Sequence, residues 1–123
     1  MLLQQEGAPM VRMDLPASEC DGRAVVSLRG ELDVAEAASV AAALAAIAGR
    51  EQEIIIDLAG LESIDSSGLA ALAFVRAQAR RSGGDVVLAA PQEQVTRLLT
   101  LTRLIDVFSV HASVEQAASS AGS

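Results

Sequence analysis

Two adjacent hydroxyl side chains, Ser66 and Ser67, follow Asp65 and precede Gly68 at a predicted junction between a buried strand and a helix. Asp, Ser and Gly are all preferred at the N-terminus of a helix, so helix capping alone explains these residue types. Free backbone N–H groups at a helix N-terminus also stabilise a phosphate, which makes an exposed serine there a suitable phosphate acceptor. On these residues alone, a cap and a modification site both stay open.

Residues for catalysis or metal binding are sparse in this chain. The single histidine, His111, has no nucleophile motif near it, and no glycine-rich phosphate-binding loop occurs. The single cysteine, Cys20, excludes an internal disulfide and a thiolate metal site. Without His or Cys ligands, the acidic residues predicted near one end of the sheet would hold at most a weakly bound hard cation. These acidic residues are Asp33, Asp57, Glu62 and Asp65. We therefore expect a protein that is not an enzyme and that uses no metal or cofactor.

Asp57, near the end of a predicted buried strand, raises the alternative of a receiver domain phosphorylated on aspartate. Receiver domains resemble one another in an acidic pair after the first strand and a lysine after the last. This chain contains no lysine, and neither early strand ends in an acidic pair. The receiver interpretation is therefore rejected.

Composition narrows the partners that the chain is expected to bind. Its 123 residues fit one domain, and its net charge of -7 with nine scattered arginines disfavours nucleic acid, which needs a basic cluster. Residues 1–10 lack the basic start and the long apolar run of a signal peptide, and no segment approaches the ~18 to 20 apolar residues of a membrane span. We expect a cytoplasmic protein with no membrane partner.

The spacing of apolar residues predicts an α/β fold. Strands are predicted over 11–15, 23–29, 53–58, 85–90 and 104–110, with an Asp-Gly hairpin turn at 20–22, an exit from the sheet over 30–33 and a loop over 59–65. Helices are predicted from Asp33 to Gly49, over 67–81, from Pro91 and after Ser113, with capping-box spacing at Asp33–Glu36 and Ser113–Gln116. This alternation predicts a mixed sheet with an N-terminal β-hairpin and later parallel strands joined by crossover helices. We expect a loose segment over 1–10, one domain over 11–118 and a flexible tail over 119–123.

The second predicted helix has two distinct faces. At 100° per residue, one face carries Leu69, Leu72, Val75 and Ala79, and the other carries Ala70, Phe74 and Ala77. A helix packed between neighbours would bury both faces, which would place Phe74 in the core. The alternative interpretation is that Phe74 is exposed and forms part of a docking surface beside Ser66.

Several motifs occur together around the two serines. Leu58, Leu61 and Ile64 precede Asp65-Ser66-Ser67-Gly68-Leu69, Gly30-Glu31-Leu32-Asp33 lies upstream, and Gly83-Gly84 lies downstream. Over about 11–118 this combination resembles the STAS domain family, specifically its anti-sigma-factor antagonists with an Asp-Ser-Ser/Thr-Gly-Leu phosphorylation motif. The chain departs from that family at Ala70, where a glycine often follows Gly-Leu, and at Arg103, where the family commonly has the glycine of Thr-Gly-Leu.

The resemblance implies a specific switch. Ser66 would be the phosphate acceptor, with Asp33, Asp65, Ser67, Gly68 and Phe74 forming its surroundings and the partner-binding surface. The partner would be an anti-sigma factor with serine kinase activity, which supplies ATP and Mg²⁺ itself, and a serine phosphatase would reset the switch. Binding of the unphosphorylated chain would free a sigma factor for transcription. The alternative is a STAS accessory module of a transporter or of a stress-signalling complex.

Overall fold

A mixed sheet with helices on both faces forms the part of the chain that the computed structural model describes, residues 11–14, 18–20, 22–48 and 53–121. The strands are β1 (Val11–Met13), β2 (Ser18–Cys20), β3 (Arg23–Leu32), β4 (Glu53–Ile64), β5 (Asp85–Ala89) and β6 (Ser109–His111). The helices are α1 (Val34–Ala48), α2 (Ser66–Arg81), α3 (Glu93–Leu101) and α4 (Val114–Ala121), with a 3₁₀ turn at Leu104–Asp106. The predicted α/β class is confirmed. None of the helices in these ranges is long and apolar enough to cross a membrane.

The strands lie in the order β1-β3-β4-β5-β6, and β2 also pairs with β3. Both β1 and β2 run antiparallel to β3, whereas β3 to β6 are mutually parallel. The first strand is shorter than predicted, and β2 was not predicted at all. Both strands pair with β3 because its ten residues are long enough for two short partners. The predicted turn before β3 agrees with Gly22, whose φ is +80°. Asp21 and Gly49, the predicted end of α1, lie outside the described residues.

The core lies on both faces of the sheet. Ile54 and Ile56 of β4 join the larger apolar cluster with α1, α2 and α3, whereas Ile55 faces a smaller cluster that contains Ala117 and Ala118 of α4. All three isoleucines have no exposed surface. Each such side chain contributes about 1.5 to 3 kcal/mol through burial. The prediction of a central strand buried on both faces is therefore confirmed.

Both central strands continue beyond their predicted ends. The sequence predicted an exit from the sheet over 30–33 and a loop over 59–65, but β3 and β4 stay paired as far as Leu32 opposite Ile64. Two register shifts interrupt this pairing, one of them at Gly30, whose φ of +92° favours glycine. The shifts break the two-residue alternation of a strand, so Leu58, Leu61 and Ile64 are all buried at a spacing of three. A spacing of three does not match the alternation of a strand, so this part of β4 was predicted as a loop.

Side chains at the start of α3 hold the far edge of the β4 extension. Because β5 ends at Ala89, opposite Asp57, the later residues of β4 have no β5 partner on that side. Gln92 Nε2 donates to the carbonyl oxygen of Ala59 at 2.7 Å, and Gln94 Nε2 donates to that of Glu62 at 2.6 Å. Two backbone acceptors of the extension are thereby satisfied by glutamine side chains instead of a strand.

The C-terminal third differs from its prediction in detail. The third helix begins at Glu93 with Gln92 as its N-cap, so Pro91 precedes the helix instead of opening it. The strand predicted over 104–110 is a 3₁₀ turn followed by β6, since the chain must first turn back toward the sheet. The Ser113 cap is confirmed, because Ser113 Oγ accepts from Gln116 N at 3.1 Å. Helix α4 continues to Ala121, into the segment predicted as a flexible tail.

Arg103 adopts a backbone conformation that normally belongs to glycine. Thr102 ends α3, with its N–H and its Oγ1 both donating to the Leu98 carbonyl oxygen, at 3.0 and 2.9 Å. Arg103 follows with φ 65° and ψ 10°, in the left-handed region. Glycine is preferred just after a helix end because it reaches this region without a steric penalty from Cβ. The turn thus keeps its geometry with arginine, at a cost in backbone strain.

We predict that Arg103→Gly stabilises the fold. Relief of the left-handed strain, offset by the larger chain entropy of glycine when unfolded, should raise the free energy of unfolding by about 0.5 to 1 kcal/mol in urea denaturation. Arg103→Ala is the matched control, since it removes the guanidinium and keeps the strain, and it should give no gain. An equal gain from both variants would assign the effect to charge instead of backbone conformation.

Candidate functional site

Two helix N-termini lie side by side at one edge of the sheet. Leu32 and Ile64 are register partners at the ends of β3 and β4, and Asp65 N–H donates to the Leu32 carbonyl oxygen at 3.1 Å. Asp33 follows the first strand and Asp65 the second, and a helix starts after each. Because neighbouring strands are only ~4.8 Å apart, the two aspartates follow neighbouring strands at the same edge of the sheet. The expected proximity of Asp33 to the phosphosite motif thus follows from strand register.

Each aspartate caps the helix that follows it. Asp33 Oδ1 accepts from Ala35 N at 3.1 Å, and Asp65 Oδ1 accepts from Gly68 N at 2.9 Å. The carbonyl oxygen of Asp65 also accepts from Leu69 N at 3.0 Å, the first backbone bond of α2. Caps of this kind contribute about 1 kcal/mol each. Asp65 therefore caps α2, and this cap uses neither of the motif's two serine hydroxyls.

Ser66 is the first residue of α2, one position earlier than predicted. The N-cap is Asp65, with extended backbone angles of φ -105° and ψ -175°, so the prediction that Ser66 precedes the helix is wrong. Ser66 is nevertheless exposed, while Ser67 is partly buried. The Ser67 hydroxyl does not cap the helix, because the capping oxygen belongs to Asp65. An enzyme approaching from solvent would reach Ser66 more easily than Ser67.

Gly68 is required by the close approach of α2 to the ends of both strands. A Cβ atom at this position would lie 2.6 Å from Ile64 Cγ1, 2.9 Å from Leu32 Cγ and 3.0 Å from the Leu32 carbonyl oxygen. Leu32 and Ile64 are buried in the main core, so neither side chain has room to retreat. The glycine of the motif thus fixes how tightly the first turn of α2, and with it Ser66, lies on the sheet.

Phe74 lies on the exposed side of α2. Its side chain is 53% exposed, whereas the predicted inner face of the helix is buried. That inner face consists of Leu69, Leu72, Val75 and Ala79. The two-face prediction is confirmed, and the interpretation of Phe74 as a core residue is wrong. Ser66, Ala70 and Phe74 are all exposed at a spacing of four residues, so they lie along one side of the helix.

The edge that carries Ser66 is acidic. Besides Asp33 and Asp65, it includes Glu31 near the end of β3, Glu62 near the end of β4 and Glu36 in the first turn of α1. Arginines of α2 lie far from this edge, in the second half of the helix, where Arg76 and Arg80 pair with Asp85 at 3.5 and 3.1 Å. The charged side chains at this edge are therefore acidic.

Sequence reasoning missed Val34, the first residue of α1. Its side chain is 71% exposed, although it is large and apolar. The available signal was its place directly after the capping Asp33, because the first turn of a helix at the sheet edge projects away from the core. Gln92 and Gln94 were also missed, since their partners are backbone atoms about 30 residues away.

The other candidate residues are not brought together. Asp57 accepts from Ser27 Oγ at 3.3 Å and from Ala59 N at 3.0 Å, on the opposite face of the sheet from α2. His111 borders an open surface depression with Glu115, Gln116 and Ser119. In the described ranges, no three His, Cys, Asp or Glu side chains are grouped so that they could hold a metal ion. Cys20 is a partly buried free thiol.

Comparison with known proteins gives a consistent family. The sequence model of the STAS domain matches residues 15–117. A Bordetella bronchiseptica protein named as a candidate anti-sigma factor antagonist, BtrV, is 31% identical over 107 residues, which cover 86% of this chain and 92% of that protein. An anti-sigma factor antagonist from Mycobacterium paratuberculosis has a similar structure, with a TM-score of 0.82, 25% identity, and coverage of 94% of this chain and 98% of that one.

Two more distant structures share the fold. The phosphorylated form of the Bacillus cell fate determinant SpoIIAA has a TM-score of 0.63 at 20% identity, over 87% of this chain and 95% of that one. A sulfate transporter family protein from Wolinella succinogenes has a TM-score of 0.66 at 16% identity, over 80% and 83% of the two chains. At these identities the likeness concerns the fold alone.

We predict that Gly68→Ala destabilises the fold despite the higher helix propensity of alanine. The added methyl must displace Leu32 or Ile64, and such overpacking costs about 1 to 3 kcal/mol in the free energy of unfolding. Gly60→Ala is the matched control, because its Cβ would meet Arg29 alone, at 2.9 Å from Cγ, 3.4 Å from Cβ and 3.6 Å from Cα, and the Arg29 side chain is exposed and can shift. The control should change stability by about 0.5 kcal/mol or less. Equal losses in urea denaturation would contradict a specific role for Gly68.

Proposed function

Since the chain belongs to the STAS domain family and, within it, to the anti-sigma factor antagonists, we propose that it binds an anti-sigma factor. This anti-sigma factor has serine kinase activity, and the chain binds it while Ser66 is unphosphorylated. Phosphorylation of Ser66 by that partner releases the chain. The unphosphorylated chain keeps the anti-sigma factor occupied, and this frees a sigma factor for transcription. A serine phosphatase that acts on phosphorylated Ser66 returns the chain to its binding state.

The observation that carries this proposal is the exposed hydroxyl of Ser66 at the first position of α2. Asp65 supplies the side-chain cap and Gly68 the close packing, so Ser66 is left without a structural task in the motif. A serine that the fold does not need, placed where backbone N–H groups point at solvent, is suited to accept a phosphoryl group.

The phosphate would act on binding more than on folding. It adds about -1.5 to -2 charges at a helix N-terminus, where the helix dipole favours negative charge, so the domain should stay folded. At the interface the new charge joins Asp33 and Asp65, and it faces the site where the kinase must hold the phosphates of its nucleotide. Like-charge repulsion and desolvation both weaken the complex there. Each 1.4 kcal/mol lost lowers the affinity about tenfold.

In this proposal the chain is a cytoplasmic binding protein and not an enzyme. The kinase contributes ATP and Mg²⁺, and the chain contributes a substrate hydroxyl and a surface. The alternative, an accessory module of a transporter or a stress-signalling complex, has the support of a shared fold with a sulfate transporter family protein. That role would not require an exposed serine at the start of α2, so the Ser66 environment favours the partner-switching proposal.

We predict that Ser66 and not Ser67 receives the phosphate. After incubation with the cognate kinase and ATP, mass spectrometry should map the modification to Ser66, and Ser66→Ala should abolish it and bind the kinase constitutively. Ser67→Ala is the matched control and should still be phosphorylated. Ser66→Asp should bind more weakly than Ser66→Ala, because one carboxylate mimics the phosphate charge only in part. Phosphate found only on Ser67 would overturn the assignment.

We predict that Phe74→Ala weakens kinase binding and leaves stability almost unchanged. A half-exposed phenylalanine gives up little buried area on truncation, whereas a buried one would cost about 3 to 5 kcal/mol. Paired binding and thermal unfolding measurements separate the two effects. Val75→Ala, a buried neighbour on the same helix, is the control that should lose stability. Unchanged binding by Phe74→Ala would exclude it from the docking surface.

A further inference from the structure

Val34 and Ser66 occupy equivalent places on neighbouring helices. Each is the first residue of its helix and directly follows a capping aspartate, and the two preceding strands end in register at Leu32 and Ile64. Helices α1 and α2 pack against each other on the same face of the sheet. Packed helices have axes about 8 to 10 Å apart, so the first turns that carry Val34 and Ser66 are neighbours at this edge.

An apolar surface extends from this point over both helices. We define the α1–α2 surface as Val34 on α1 together with Ser66, Ala70 and Phe74 on α2, all of which are exposed. Helix α1 carries no charged residue except Glu36, and its other exposed side chains are small. These are Ala35, Ala38, Ser39, Ala42 and Ala46. A surface helix normally presents charged residues to water, so this composition suits contact with another protein.

The charges around the surface argue against a second copy of the chain as its occupant. Glu31, Asp33, Glu36, Glu62 and Asp65 lie close in sequence to the two strand ends from which this surface starts, and a symmetric dimer would bring the same acidic residues of two chains together. Each chain also carries a net charge of -7. Like charges placed opposite one another cost several kcal/mol at an interface. The occupant should therefore carry positive charge.

We propose that the partner protein docks on the α1–α2 surface through an apolar pocket that receives Val34 and a basic rim that faces Glu36 and Glu62. This inference rests on the proposed function for the identity of the partner as the kinase. Val34 supplies contact area that holds the complex together, whereas the acidic border steers the partner toward the surface and sets its orientation. The basic rim lies opposite the glutamates at the border, and the nucleotide of the kinase lies opposite Ser66, so phosphorylation still opposes binding.

The test uses the full chain and the kinase that the unphosphorylated wild type captures, identified by mass spectrometry and purified. Surface plasmon resonance then measures association and dissociation rates separately. Val34→Ala should raise the dissociation rate about tenfold, since most interface truncations act on dissociation. Leu101→Ala is the matched control, because Leu101 is 73% exposed but lies at the end of α3, and it should change the rate less than twofold.

Association rates test the role of the acidic residues. The double variant Glu36→Gln/Glu62→Gln should lower the association rate about fivefold at low salt, and the difference should vanish at about 1 M salt, where the Debye length is ~3 Å. The double variant Glu19→Gln/Glu115→Gln is the control for an equal loss of net charge, because Glu19 lies on β2 beside the start of β3 and Glu115 lies on α4 at the opposite face of the sheet. An equal effect of this control would show that net charge alone steers the partner and would overturn the basic rim.

The outcomes separate this inference from the proposed function. Unchanged dissociation of Val34→Ala, or an equal effect of Leu101→Ala, overturns the Val34 pocket, even if Ser66→Asp still weakens binding. If the captured partner has no kinase activity, the proposed function is wrong, and the same rate measurements on that partner decide the docking surface. If the wild-type chain captures no partner, both proposals are wrong. Val34→Ala should keep the wild-type melting temperature, because the side chain is 71% exposed.

Discussion

The parallel pairing of β3 with β4 as far as Leu32 and Ile64 is the constraint on which the candidate site depends. The pairing survives two register shifts, and Gly30 absorbs one of them with a φ of +92°. Because the two strands end level, the two capping aspartates and the first residues of α1 and α2 come to the same edge. If one strand ended a few residues before the other, the starts of α1 and α2 would lie apart, and the acidic residues would no longer share one edge.

Tight packing then fixes the orientation of the edge. Gly68 lets the first turn of α2 approach the buried side chains of Leu32 and Ile64 closely, and Asp65 closes that turn with a hydrogen bond of 2.9 Å. On the other side of β4, the glutamines at the start of α3 bond to two carbonyl oxygens of the strand. Ser66 is thus held on a rigid support although its own side chain is exposed. Such an arrangement suits a serine that is to be modified without disturbing the fold.

The distribution of exposed side chains separates the face that we assign to binding from the rest of the molecule. Val34 and Phe74 are two of the large apolar side chains exposed in the described ranges, and both lie on α1 and α2 near the acidic edge. The others, Leu101 and Val107, flank the 3₁₀ turn at the end of α3. The acidic residues lie at the strand ends next to the start of α1, which carries Val34, and Phe74 lies two turns along α2, so we assign to that surface both apolar contacts and a charge that selects a basic partner.

The sequence by itself determined the α/β class, the central strand at Ile54–Ile56, the two faces of α2 and the resemblance that singles out Ser66. These conclusions depend on local periodicity and on a contiguous motif, both of which are written along the chain. Only the tertiary structure decided that β3 and β4 continue to Leu32 and Ile64, that Gly68 packs closely against Leu32, and that Val34 and Ser66 begin neighbouring helices at the same edge. The physical reason is that each of these features depends on strand register or close packing between segments about 30 residues apart, where a bulge or a missing Cβ changes the neighbours without changing the local pattern.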